Sequence, residues 1–179
     1  RLELDMKAVD LNEVTQDCLR SLNHMIEERR ATVHAESLPS IVADHTAVEQ
    51  IMGNLLTNAV LYLDPSRPGN VTITGGREAN RVTVSVRDNG RGVAEAELDK
   101  VFAPFRRAGK QDVPGEGMGL AYVEALIRRH GGDIECESAV GVGTTMTFWL
   151  PIDPGAPTIL ERKSHDDVVT CPPARKHDE

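Results

Sequence analysis

The chain has 179 residues, 40% of them hydrophobic, which suits one domain with a sizeable core. Its formal net charge of −8, with no dense basic stretch, argues against a nucleic-acid partner. No apolar run reaches the roughly 18 residues that would suggest a membrane span, and the widely separated Cys18, Cys136 and Cys171 fit reduced cytosolic thiols better than a disulfide framework or a zinc site.

The opening Arg1-Leu2-Glu3 has no signal-peptide pattern and reads as the cut end of something longer, so residues 1–8 are expected to close a preceding linker or helix. A first helix is predicted from Asp10 or Asn12, with Val14, Cys18, Leu22 and Met25 on one face. Residues 31–34 suggest a strand, followed by a loop through Pro39. A second helix starts near Asp44 or Thr46, and Thr46 with Glu49 has capping-box spacing. Val48, Ile51, Met52, Leu55, Leu56 and Ala59 form its apolar stripe; Gln50, Asn54 and Asn58 form the adjoining polar face. After a turn-rich break at 65–70, residues 71–74 and 81–86 alternate like paired antiparallel strands. Residues 94–98 look helical. Leu120, Val123, Leu126 and Ile127 space out a further helix, ended by Arg128-Arg-His130-Gly-Gly132, where His130 reads as a C-terminal cap and dipole partner. Segments 133–138 and 144–150 close the sheet around a turn at Gly141-Val-Gly143. The sum is an α/β two-layer sandwich, a mixed, mostly antiparallel sheet with helices packed on one face. Residues 152–179, rich in proline and charge, are expected to be a disordered or partner-contacting tail.

Four boxes carry the chemistry: Asn54-Leu-Leu-Thr-Asn58, Asp88-Asn-Gly90-Arg-Gly92, Gly115-Glu-Gly117-Met118-Gly119, and Gly141-Val-Gly143-Thr144. Asparagine is a poor helix former, and two at i, i+4 put both amides on one helix face, where their oxygens suit a magnesium ion or its waters. A carboxylate straight after an alternating strand can accept from an adenine amino group. The third box runs into an apolar-periodic segment, so its backbone N–H groups and the positive helix end can receive phosphate oxygens. Arg106, Arg107 and Lys110, among Gly109, Pro114 and Gly115, fit a mobile lid over those phosphates; a plain solvated loop is the alternative. At least one of Phe102 and Phe105 is expected in the core.

The order of these boxes resembles the Bergerat-type ATPases, which include sensor histidine kinases, gyrase, MutL and heat-shock chaperone ATPases. No P-loop pattern occurs. Within that family, residues 9–151 look like the catalytic ATP-binding domain of a two-component sensor histidine kinase. Residues 54–62 match its N-box, and Val101-Phe102-Ala-Pro-Phe105-Arg106-Arg107 its phenylalanine box. The resemblance implies ATP and Mg2+ as cofactors. It puts Asn54, Asn58, Tyr62, Asp88, Gly90, Gly92, Phe105, Arg106, Arg107, Gly115, Gly117, Met118, Gly119, Leu120 and Thr144 at the nucleotide, with Asn58 on the metal side. Residues 1–8 would then end a dimerisation helix. The partners implied are a histidine-bearing dimerisation domain of the same protein, homodimeric in the parent, and a response regulator. The domain would be cytoplasmic, with a parent free to carry a membrane anchor.

In the ATP-hydrolysing relatives a glutamate stands four residues before the magnesium asparagine and activates water. This chain has Asn54 there, and an amide cannot take a proton. Slow hydrolysis and transfer to a histidine on another domain are therefore expected, with no autophosphorylation by this fragment. Most histidine kinases place a cation seven residues after the first N-box asparagine; Leu61 occupies that position, at a cost to phosphate binding of about 1–2 kcal/mol unless Arg106, Arg107 or Lys110 compensates. An anti-sigma-type serine kinase and a non-catalytic nucleotide-sensing module share the boxes and are the alternatives.

Overall fold

The computed structural model describes residues 3–105 and 119–152. Along the chain come β1 (Met6–Asp10), α1 (Leu11–Ser21), α2 (Asn23–Glu28), β2 (Ala31–Ala35), β3 (Ser40–Asp44), α3 (His45–Leu61), β4 (Gly69–Arg77), β5 (Arg81–Asp88), a 3-10 helix (Glu95–Lys100), α4 (Gly119–Arg129), β6 (Asp133–Ala139) and β7 (Gly143–Pro151). Five strands form one sheet in the order β2-β4-β5-β7-β6. β2 runs parallel to β4 and the other neighbours are antiparallel, so the sheet is mixed as the pattern predicts.

Period-two alternation divides the sheet into two faces. Val71, Ile73, Val82, Val84, Val86, Phe148 and Leu150 point inward and are buried with Val48, Ile51, Leu55 and Leu56 of α3 and Val123 and Ile127 of α4. Each such side chain contributes roughly 1.5–3 kcal/mol when fully buried. The other face is polar, and there the Ser85 and Thr147 hydroxyls lie 2.8 Å apart across the β5–β7 pair. The two-layer sandwich thus follows from one apolar sheet face and the apolar stripes of the helices.

Local differences from the sequence pattern have physical causes. Residues 6–8 belong to β1, which pairs antiparallel with β3 in a separate two-stranded sheet, so the domain's first strand starts inside the segment expected to end a preceding helix. Neither strand alternates strongly enough to be read locally. The first helix breaks at Leu22 into α1 and α2, although Met25 still packs on the core as expected. Asp44, not Thr46, caps α3: its Oδ1 accepts from the Ala47 N–H at 3.0 Å, which leaves the Thr46–Glu49 capping box unused. His130 is buried and caps α4, its Nδ1–H donating to the Leu126 carbonyl at 2.7 Å. Its Nε2 accepts from the Asp44 N–H at 3.2 Å, so this histidine also ties α4 to the start of α3. The tail from residue 153 lies outside the described residues.

Candidate functional site

The 3.6-residue period of α3 puts Gln50, Asn54 and Asn58 in one row. Asn54 Nδ2 donates to the Gln50 carbonyl at 2.8 Å, which turns its Oδ1 outward as an acceptor. That oxygen lies against the first residue of α4, where a Cβ on Gly119 would approach it to 2.7 Å. A side chain at Gly119 would push the Asn54 amide out of this position. Tyr122 of α4 donates from its hydroxyl to Gln50 Oε1 at 2.8 Å and holds the two helices together beside it. One turn on, the half-buried Asn58 amide makes no hydrogen bond to a described residue. The Asn54 oxygen at that helix start, with a second amide one turn on along the same row, suits a hard cation that brings its own phosphate and water ligands. Among the described residues no cluster of three acidic, histidine or cysteine side chains offers a rival metal site.

Asp88 ends β5 on the inward face and is only 9% exposed. The turn after it sends the Gly90 N–H to Asp88 Oδ1 at 2.8 Å, and the start of β7 sends the Thr144 N–H to the same oxygen at 3.2 Å. Oδ2 has no hydrogen-bond partner among the described residues. Burial pushes the Asp88 carboxyl up to about 6, against the downward pull of the two backbone N–H groups. β7 begins this close because Gly143 has φ +140° and no side chain; a Cβ there would come within 2.0 Å of the Asp88 carbonyl oxygen. The Thr144 hydroxyl lies 2.8 Å from Ser138 Oγ, which also accepts from the Val93 N–H and so fixes the chain after Gly92.

Of the other expected site residues, Tyr62 is half-buried at the end of α3, and its carbonyl accepts from the Arg91 N–H at 3.0 Å. The Arg91 guanidinium stands 5.7 Å from the Tyr62 ring. Leu120 is half-buried in the first turn of α4. Phe102 packs on the core, which meets the expectation for at least one of the two phenylalanines, whereas Phe105 is 77% exposed with φ +59°. The inward places after the 3-10 helix are taken by Val101 and Phe102. Arg106, Arg107, Gly115, Gly117 and Met118 lie outside the described residues, as does the lid. Sequence reasoning missed Arg67, whose guanidinium donates to the carbonyls of Asn89, Gly90 and Gly141. Its only sequence signal is a position directly after Asp64-Pro65-Ser66, a favourable turn sequence.

A family model described as histidine kinase-, DNA gyrase B-, and HSP90-like ATPase matches residues 43–154. The sensor histidine kinase ZraS of Escherichia coli K12 is 32% identical over 153 residues, covering 84% of this chain and 32% of ZraS. The chain thus spans about a third of that relative's length. The catalytic domain of the histidine kinase ThkA is similar with a TM-score of 0.72 at 27% identity, covering 84% of this chain and 98% of that one. ThkA has also been solved in complex with the response regulator protein TrrA. Full-length ShkA in complex with AMPPNP gives a TM-score of 0.74 at 28% identity, over 88% of this chain and 33% of ShkA.

Proposed function

Because this chain belongs to the histidine kinase-, DNA gyrase B-, and HSP90-like ATPase family, we propose that it is the ATP-binding catalytic domain of a two-component sensor histidine kinase. The observation that carries the reading is the buried Asp88 carboxylate, with Oδ1 held by two backbone N–H groups and Oδ2 left for the exocyclic amino group of adenine. Gly90, Gly92 and Thr144 shape that pocket, and Tyr62 and Leu120 flank it. Asn54 and Asn58 face the triphosphate end, with Asn58 on the magnesium side; the ion would neutralise phosphate charge there. Phe105, Arg106, Arg107, Gly115, Gly117 and Met118 belong to the lid and its flanks in this reading.

Asn54 offers an acceptor oxygen but no base, so hydrolysis is slow. The γ-phosphorus is instead attacked by a ring nitrogen of a histidine on the separate dimerisation domain: an N–P bond forms, the bond to the β–γ bridging oxygen breaks, and ADP leaves. The phosphoryl group then passes to a response regulator, in keeping with the ThkA–TrrA complex. We place the domain on the cytoplasmic side of a homodimeric parent; no helix among the described residues is long and apolar enough to cross a membrane.

Calorimetry of Mg2+-ATP binding to the 179-residue chain, Asp88→Asn and Asn58→Ala tests the site, with binding expected for the parent and lost or greatly weakened in both variants. Parental affinity in both would remove the assignment. Phosphotransfer to an added histidine domain tests the activity: ATP binding without transfer would favour the nucleotide-sensing module, for which Leu61 speaks. Rapid phosphate release that disappears in Asn58→Ala would point to the hydrolysing relatives.

A further inference from the structure

We infer that Arg67 is a positioning residue that locks the peptide aiming at Asp88 and thereby sets the preference for adenine over guanine; this rests on Asp88 being the adenine acceptor. The Asn89 carbonyl and the Gly90 N–H belong to one trans peptide and point in opposite directions. The N–H end donates to Asp88 Oδ1 at 2.8 Å. The oxygen end is gripped by Arg67, from Nε at 3.0 Å and Nη2 at 2.8 Å. If that peptide flipped, a carbonyl oxygen would face the carboxylate, and Arg67 would lose the acceptor shared by two of its nitrogens.

The same guanidinium reaches two further carbonyls. Nη2 donates to the Gly90 oxygen at 2.8 Å and Nη1 to the Gly141 oxygen at 2.7 Å. Gly141 opens the turn into β7, whose Thr144 N–H is the second donor to Asp88 Oδ1. One cation therefore fastens both loops that supply those donors. Arg67 is itself aimed by a turn: Asp64 Oδ1 accepts from the Ser66 N–H at 2.9 Å, and the Arg67 N–H donates to the Asp64 carbonyl at 3.4 Å. Asn89 fastens the far side of the loop, accepting from the Asn70 N–H at 2.7 Å and donating to the Pro68 carbonyl at 2.9 Å. Only a planar fork with several N–H groups can hold three carbonyls on two loops, so lysine is not an equivalent.

A carboxylate held on Oδ1 presents Oδ2 in one direction. Adenine offers an amino donor to it, whereas guanine offers a carbonyl oxygen that it repels. A freed carboxylate rotates and hydrates, and discrimination falls.

The test measures ATP, GTP and adenosine affinities of the 179-residue chain and its Arg67→Ala and Arg67→Lys variants, with Arg81→Ala as a control at the other end of β5. Both Arg67 variants should bind ATP and adenosine about tenfold or more weakly, the scale of one charge-assisted hydrogen bond, and the ATP-to-GTP ratio should fall with them. A nucleotide-free readout accompanies this: the Gly90 amide proton resonance should follow Asp88 ionisation in the parent and in Arg81→Ala, and lose that response in Arg67→Ala. If Arg67→Ala does not fold, Arg67→Lys decides by the same measurements. A parental ATP-to-GTP ratio in the folded Arg67 variants overturns this inference alone. Failure of the parent to bind ATP overturns the nucleotide reading, and this inference with it.

Discussion

At its first residue β5 leaves Arg81 half-exposed, paired with Glu78 at 2.7 Å and 5.7 Å from the Trp149 ring; at its last it withdraws Asp88 from water against two backbone N–H groups. The first arrangement is cheap and weak, since an exposed ion pair is worth about 0–1 kcal/mol. The second is costly, because burial pushes the Asp88 carboxyl up to about 6, so at neutral pH the strand ends in a charge the fold would rather not hold. Between them the strand is ordinary core. A cost concentrated at one end, beside the close-packed Gly143, fits the proposed nucleotide reading, in which a ligand would complete the hydrogen bonding of Asp88.

The largest effect should come from the shared middle. Phe148, buried opposite Val84, serves both ends, and Phe148→Ala should cost about 3–5 kcal/mol in denaturant unfolding. A loss below about 1 kcal/mol would mean the two ends do not stand on a common core. Next is Asp88→Asn, which keeps an acceptor for Gly90 and Thr144 but removes the buried charge. The nucleotide-free variant should be more stable at pH 7, by up to about 3 kcal/mol, while ATP binding is lost. Lower stability than the parent would show that the charge is no burden.

The pH dependence sharpens the same contrast. Because the folded carboxyl titrates near 6 and the unfolded one near its ordinary 3.8, the folded chain holds an extra proton between these values. The Asp88 contribution to stability should therefore fall as pH rises from about 4 to 6 and level off above, a slope absent from Asp88→Asn. ATP affinity should run the other way, weakening below about pH 6 as the acceptor is protonated. Thr15→Val is a smaller effect: this buried hydroxyl has no partner among the described residues, so its removal should gain about 1 kcal/mol in thermal unfolding. Smallest is Arg81→Ala, expected to change stability by under about 0.5 kcal/mol and to leave nucleotide binding untouched.

Helical spacing by itself put Asn54 and Asn58 on one face, strand alternation put Asp88 at the end of a buried strand, and proline with glycine marked the turns, because backbone periods and φ preferences are local. The parallel pairing of β2 with β4 and the β1–β3 sheet were not legible, since partner and register depend on residues far along the chain. Nor was the depth of Asp88, which comes from neighbours on β7 and the turn. Arg67 was the least legible of all. Its partners are backbone carbonyls of Asn89, Gly90 and Gly141, up to 74 residues away, and every residue type carries the same carbonyl. Only the folded chain decides which of these carbonyls are left without a donor, and so where a guanidinium is needed.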